Sequence, residues 1–233
     1  MKNPLNEPKL IPDLEKSFRV LALEFRGHGQ SGKPTEPQAY GVQMSEDVVR
    51  LLDHLKIKQA HVVGYSLGAA VAGKLLVTHP DRLLSVTFGG GCPVFQPSKE
   101  RIAAMYSIAD ALDRGEGAGQ LVTLISPADR PPPPAVADVM GQAIVMGQNQ
   151  KVLAAVLRGM VNLEVTEDQL KANKIPVTFI YGSDEGEAKA RIAEVKSLLP
   201  GSTTTVIDNA DHFNTFATVK FRKAVRAFLT SKR

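Results

Sequence analysis

A serine hydroxyl attacks carbonyl carbon at neutral pH only when a base lies within hydrogen-bond reach and a carboxylate steadies that base. The chain places one serine in Gly64-Tyr65-Ser66-Leu67-Gly68. The Gly-x-Ser-x-Gly spacing is that of a nucleophile elbow, a sharp strand-to-helix turn that lifts the hydroxyl clear of a sheet. Ala60-His61-Val62-Val63 before it is short and β-prone, and Ala69 to Val77 after it are small or aliphatic helix formers closed by Pro80. Such flanks disfavour an ordinary glycine-rich turn. The chain crosses itself two residues before and after the serine, which calls for minimal side chains at 64 and 68. The N–H of Leu67, in the first helical turn, is aimed at any oxyanion forming beside Ser66.

Five histidines are available as the base: His28, His54, His61, His79 and His212. His54 and His79 fall at helix ends, where a favourable dipole contact explains them. His61 begins a strand, on the edge opposite the serine. His28 and His212 both follow predicted strands, the edge at which open parallel sheets bind ligands. Chain order separates these two. An elbow runs serine, acid, histidine, and His212, unlike His28, leaves room for an acid after Ser66. The acid is expected behind the strand that ends at Tyr181, where Gly182-Ser183-Asp184-Glu185-Gly186 offers Asp184 and Glu185. Asp211 is too close to His212 in sequence to orient its ring from behind.

Strands and helices must hold these groups. Strands are expected at Phe18–Phe25, 60–65, Leu83–Phe88, Val177–Tyr181 and Thr203–Ile207. Helices are expected from Pro12 to about Lys16, from a Ser45 cap to Leu55, after the elbow, at Glu187–Leu199 and at Val219–Leu229. Residues 1–8 read as irregular. The loop Arg26 to Pro34 is glycine-rich but lacks the spacing of a phosphate-binding loop. From Cys92 to Lys174 the pattern is helical, with pieces near 98–113, 135–147 and 150–161, and Pro131–Pro134 reads as a stiff connector. Alternating strand and helix imply a mostly parallel α/β sheet with helices on both faces. The core is assigned to 1–91 and 175–233, with 92–174 as a helical lid insertion.

Composition bounds the rest. Of 233 residues 43% are hydrophobic and 22% charged, as in ordinary globular proteins. Net charge is +4, dispersed without a block of like charge, and Trp is absent, so no nucleic-acid surface is expected. Cys92 is the single cysteine, which excludes an internal disulfide and suits a reducing, cytoplasmic setting. The first ten residues lack an apolar core, and no 18-residue apolar run occurs, so neither signal peptide nor membrane span is expected.

With Phe25-Arg26-Gly27-His28-Gly29-Gln30-Ser31, the elbow, Ile180-Tyr181-Gly182-Ser183-Asp184-Glu185 and Ala210-Asp211-His212-Phe213 in this order, the chain resembles an α/β-hydrolase fold protein. The resemblance implies Ser66 as nucleophile, His212 as base, and no metal or organic cofactor. Its usual spacing of the acid, three residues after the strand-ending glycine, selects Glu185, with Asp184 one step early. The resemblance also implies three opening strands, the third leading to a His-Gly loop that supplies a second oxyanion N–H. No such segment precedes Phe18, so an N-terminally shortened fold is expected, lacking a strand between Phe18–Phe25 and the elbow strand. Two functions follow. One is a serine hydrolase of an ester, thioester or related acyl bond in a small, largely apolar substrate. The other is an impaired or non-catalytic hydrolase-like binding module. An exposed sheet edge also invites pairing into a homo-oligomer.

Overall fold

The computed structural model describes residues 10–127 and 129–232. The irregular reading of 1–8, and Lys9, lie outside them. Four strands form: β1 (Ala60–Tyr65), β2 (Leu83–Gly89), β3 (Val177–Gly182) and β4 (Thr203–Ile207). They pair in the order β1-β2-β3-β4, and every pairing is parallel. Parallel neighbours need a crossover, usually a helix. Helices α1 (Leu10–Leu14) and α2 (Val42–His54) precede the sheet, and α3 (Leu67–Thr78) joins β1 to β2. Between β2 and β3 come α4 (Lys99–Asp113), α5 (Gly119–Ile125), α6 (Pro134–Val145), α7 (Gln150–Gly159) and α8 (Glu167–Lys171). Helix α9 (Gly186–Ser197) joins β3 to β4, and α10 (Val219–Thr230) follows.

The side-chain period of two along β3 divides the core. Val177, Phe179 and Tyr181 pack with Leu75 and Leu76 of α3 and Ile192 and Val195 of α9. Ile180 points the other way, onto Phe221, Val225 and Leu229 of α10 and Leu14 of α1. Phe88 and Phe179, both fully buried, hold their ring centroids 5.2 Å apart on neighbouring strands. Helices therefore cover both faces, as alternation predicts.

Phe18–Phe25 does not form the expected strand. It is not one of the strands of the sheet, and Leu21 and Leu23 stay exposed (39% and 37%). An apolar cleft of about 820 Å³ separates it from β1, with Leu52, Val71 and Leu75 on its walls. Apolar composition specifies that a segment seeks cover on both faces. Strand structure also needs a neighbouring backbone within about 4.8 Å, and across the cleft there is none. The cleft lies where the resemblance implies a further strand.

Other differences are local. Helix α1 begins at Leu10 rather than Pro12, because first-turn N–H groups have no intrahelical acceptor for proline to remove. Helix α2 starts at Val42 after Gly41 in the left-handed region (φ 62°). Ser45 thus lies inside the helix and donates from Oγ to the Val42 carbonyl at 2.7 Å. The short helices α5 and α8 carry too few turns to show a period. The glycine-rich loop folds back on Glu24, whose carboxylate accepts the Gln30 N–H at 2.9 Å. That occupies a donor which phosphate would require.

Arg26 leaves this loop to grip α2. Its Nε and Nη2 donate to Asp47 at 2.6 and 2.7 Å. Burial raises the Asp47 carboxyl, but hydrogen bonds from Arg26 and Arg50 outweigh it and hold the group below its ordinary value. A folded pKa below the unfolded one, about 3.9, gives stability that is complete above the unfolded value and lost as pH falls through the folded one. Acid unfolding of Asp47→Asn is expected to lose part of its slope below about pH 4, measured by circular dichroism against the parent.

Candidate active site

Ser66 stands at the turn between β1 and α3 with φ 53° and ψ −115°, a left-handed conformation rare for a residue with a side chain. Gly64 makes the turn feasible. A Cβ there would lie 2.2 Å from the Gly68 carbonyl oxygen. Gly68 itself has room, its nearest neighbour being Phe25 at 4.0 Å. The expectation that both positions demand glycine therefore holds sterically for Gly64 alone. Gly64→Ala is expected to cost about 1–3 kcal/mol or more through overpacking, seen as a lowered melting temperature.

The second and third groups come from the loops after β3 and β4. These loops touch: a Cβ on Gly182 would lie 2.0 Å from the Ala210 carbonyl oxygen, and the Asp184 N–H donates to that same oxygen at 2.9 Å. The contact brings Glu185 against His212. His212 Nδ1 lies 2.9 Å from Glu185 Oε2, and His212 Nε2 lies 2.9 Å from Ser66 Oγ. A carboxylate only accepts, so Nδ1 carries the proton, Nε2 is the acceptor, and the Ser66 hydroxyl donates to it. Glu185 is almost fully buried, its side chain 1% exposed. Asp184 turns away. Its Oδ2 accepts from Arg130 at 2.7 Å and its Oδ1 from Ser183 at 2.9 Å. The Arg130 hydrogen bond, then that of Ser183, holds the Asp184 carboxyl below its ordinary range. Asp211 caps its own turn, accepting the Phe213 and Asn214 N–H groups at 2.9 and 3.0 Å.

Leu67 is the first residue of α3, so its N–H has no acceptor within the helix and faces the Ser66 side. His28 lines the same cavity, and its Nδ1 lies 3.3 Å from the Arg26 carbonyl oxygen. Two other histidines are occupied elsewhere. His61 Nδ1 lies 2.7 Å from Ser85 Oγ, and His79 Nε2 lies 2.8 Å from Glu46. His79 is thus explained by a carboxylate rather than by a helix end alone.

Tyr65 is the neighbour that sequence reasoning passed over. Its hydroxyl donates to the His212 carbonyl at 2.6 Å and stands 3.5 Å from Glu185 Oε1. Its ring packs on those of His212, Phe216 and Phe221. Burial, and next the Glu185 carboxylate, pushes the phenol far up, so it stays a donor. An aromatic hydroxyl beside the serine at the inner end of a strand was the available signal. Tyr65→Phe strands the His212 carbonyl and is expected to cost about 1–3 kcal/mol of stability, measured by urea unfolding.

Beside Ser66 opens a cavity of about 420 Å³. Its floor is Ser66, Leu67 and His212. Its walls are mostly aliphatic and come from the helical block, among them Met105, Leu121, Val145 and Leu157. Small-molecule sites are built in this way, apolar with a few convergent polar groups. Among the described residues no group of three or more His, Cys, Asp or Glu side chains is placed to hold a metal ion, and no helix is long and apolar enough to cross a membrane.

Known proteins resemble this chain to different depths. The family described as alpha/beta hydrolase fold matches residues 2–115. The 2-hydroxymuconate semialdehyde hydrolase of Pseudomonas sp. strain CF600 is 34% identical over 97 residues, which is 42% of this chain and 34% of that protein. The chain thus matches about a third of that relative's length. Over the whole fold, a thermophilic esterase from Thermogutta terrifontis superposes with TM-score 0.75 at 20% identity, covering 96% of this chain and 84% of that one. A hydrolase from Pseudomonas aeruginosa PA01 superposes with TM-score 0.71 at 25% identity, covering 96% and 83%.

Proposed function

Because this chain has the α/β-hydrolase fold, we propose that it is a serine hydrolase acting on an ester, thioester or related acyl bond of a small, largely apolar substrate. One observation carries the proposal: Ser66 Oγ, the His212 ring and the Glu185 carboxylate form one hydrogen-bonded line that opens into an apolar cavity. Ser66 Oγ attacks the carbonyl carbon while His212 Nε2 takes its proton. The Leu67 N–H receives part of the negative charge on the carbonyl oxygen. The bond to the leaving group breaks as His212 returns the proton to it, leaving an acyl chain on Ser66. Water then repeats the sequence, with His212 again as base, and releases the acid. Glu185 holds the imidazole in the tautomer that both half-reactions need. The helical block 92–174 serves as the lid that walls the acyl chain from water.

A second reading, a hydrolase-like protein with impaired turnover, is favoured by the cleft beside β1, where the resemblance places the strand that leads to a second oxyanion donor. Losing one such donor lowers rates about 10²–10³-fold. Acid-quenched mass spectrometry after mixing with a 4-nitrophenyl ester tests the main proposal. An added acyl group on the Ser66 peptide, absent in Ser66→Ala, is expected. Release of nitrophenol with no acylated Ser66 at any time, and undiminished in Ser66→Ala, would refute it.

A further inference from the structure

Two spaces border the start of α3: the cavity that opens on Ser66 and the cleft beside β1. Among the described residues two line both of them, Leu67 and His28. A residue that borders two spaces stands in the wall between them. His28 therefore lies beside the residue whose N–H is aimed at the reacting oxygen. The loop that carries it is fixed on both sides. Phe25 packs in one cluster with Leu67 and Val71, and it is the nearest neighbour, at 4.0 Å, of a Cβ placed on Gly68. The chain then turns back: the His28 N–H donates to the Phe25 carbonyl at 3.0 Å, with Gly27 at φ 84°. On the far side, a Cβ on Gly27 would lie 2.9 Å from Val156 of α7, itself a residue of the cavity. The His28 loop is thus held between the helix that follows the elbow and the helical block.

The mechanism derived above gives this half-buried ring no task. Its Nδ1 faces the Arg26 carbonyl across 3.3 Å, beyond the usual range of an N–H···O bond, so that contact does not dictate the tautomer. Its Nε2 has no hydrogen-bond partner among the described residues. We propose that His28 is a second electrophilic group of the site: with Nε2 protonated, it donates a hydrogen bond to the substrate carbonyl oxygen as negative charge gathers there, beside the Leu67 N–H. The proposal rests on the serine-hydrolase reading and adds a catalytic residue to it. In the step concerned the bond from Ser66 Oγ to the carbonyl carbon forms and the carbonyl π pair moves onto oxygen. That pair returns as the leaving group departs, and His28 keeps its proton throughout. Histidine side chains are among the donors that serve such oxyanion sites, and a donor fixed in advance costs no reorganisation during reaction. The aliphatic walls strengthen its effect by lowering the local dielectric. His28 would in this way stand in for the donor whose loss favours the second reading.

Two variants and two probes test it. His28→Ala removes the donor, and His28→Phe removes it while keeping the space filled. Each is measured with 4-nitrophenyl butanoate and with hexyl trifluoromethyl ketone, to which a serine adds as a stable hemiketal oxyanion. For both variants kcat is expected to fall by about 10²–10³-fold, the effect of losing one oxyanion donor, with KM little changed because the charge develops after binding. The inhibition constant of the ketone is expected to rise by the same factor as kcat/KM falls, since both report the charged oxygen. A role in packing alone would be met by phenylalanine and would leave the ketone no more affected than the substrate's KM. A fall in kcat of less than about tenfold in His28→Phe, where one donor is worth 10²–10³, overturns the proposal. So does a fall that the ketone's inhibition constant does not follow. Ser66 acylated at the parent's rate in these variants would in that case leave the hydrolase reading standing. If the parent neither cleaves the ester nor carries an acyl group on Ser66, both fail.

Discussion

His212→Ala is expected to lower turnover of a 4-nitrophenyl ester by about 10⁴–10⁶-fold, the loss seen when a serine's general base is removed. Without Nε2 at 2.9 Å from Ser66 Oγ, the hydroxyl keeps its proton during attack and the leaving group departs unprotonated. The fold survives the change. The His212 ring contributes contacts to Tyr65 and Phe213, but the loop itself is held by the Asp211 cap and by Tyr65 bonding to the position-212 carbonyl, which alanine retains. At about 2–4 °C per kcal/mol for a chain of this size, the melting temperature is expected to drop by only several degrees. Burst and steady-state kinetics beside a thermal melt check both halves.

Two adjacent carboxylates are expected to respond in opposite ways. Glu185→Gln preserves shape but presents an amide to His212 Nδ1, and the imidazole then settles in the tautomer that cannot accept from Ser66. The analogous change elsewhere costs about 10⁴-fold, and a loss of that order is expected here. Asp184→Asn breaks only an ion pair with Arg130, whose side chain is 65% exposed. Surface pairs contribute about 0–1 kcal/mol, so turnover is expected to change by no more than a few fold. Kinetics of the two variants at one pH decide the matter, and equal losses would mean that the acid is misassigned.

Legibility in the sequence followed how locally each feature is specified. Ser66 was legible because the elbow is encoded within five residues, with a glycine at 64 that the crossing of the chain makes obligatory. His212 and Glu185 were reachable through topology: each follows a strand of a parallel sheet, and such loops share one edge. The residues alone did not separate Glu185 from Asp184; in the fold Glu185 meets His212, while Asp184 pairs with Arg130, 54 positions away. Phe18–Phe25 misled for a related reason. Its residues state a preference for burial on two faces, but a ladder requires a second backbone, and the partner is not written in the segment. Ser45 misled because the left-handed residue at Gly41 starts the helix earlier. Tyr65 occupies the variable position of the elbow, where the motif is silent.

The central claim is that the Ser66 hydroxyl is activated in the folded chain. A fluorophosphonate probe measures this directly, because it phosphonylates a serine only when a neighbouring base removes the proton. Intact-mass and peptide analysis are expected to show one probe per chain, on Ser66, with none on Ser66→Ala and sharply slowed labelling of His212→Ala. Folded protein that stays unlabelled under excess probe, or carries the label on another residue, would contradict the account.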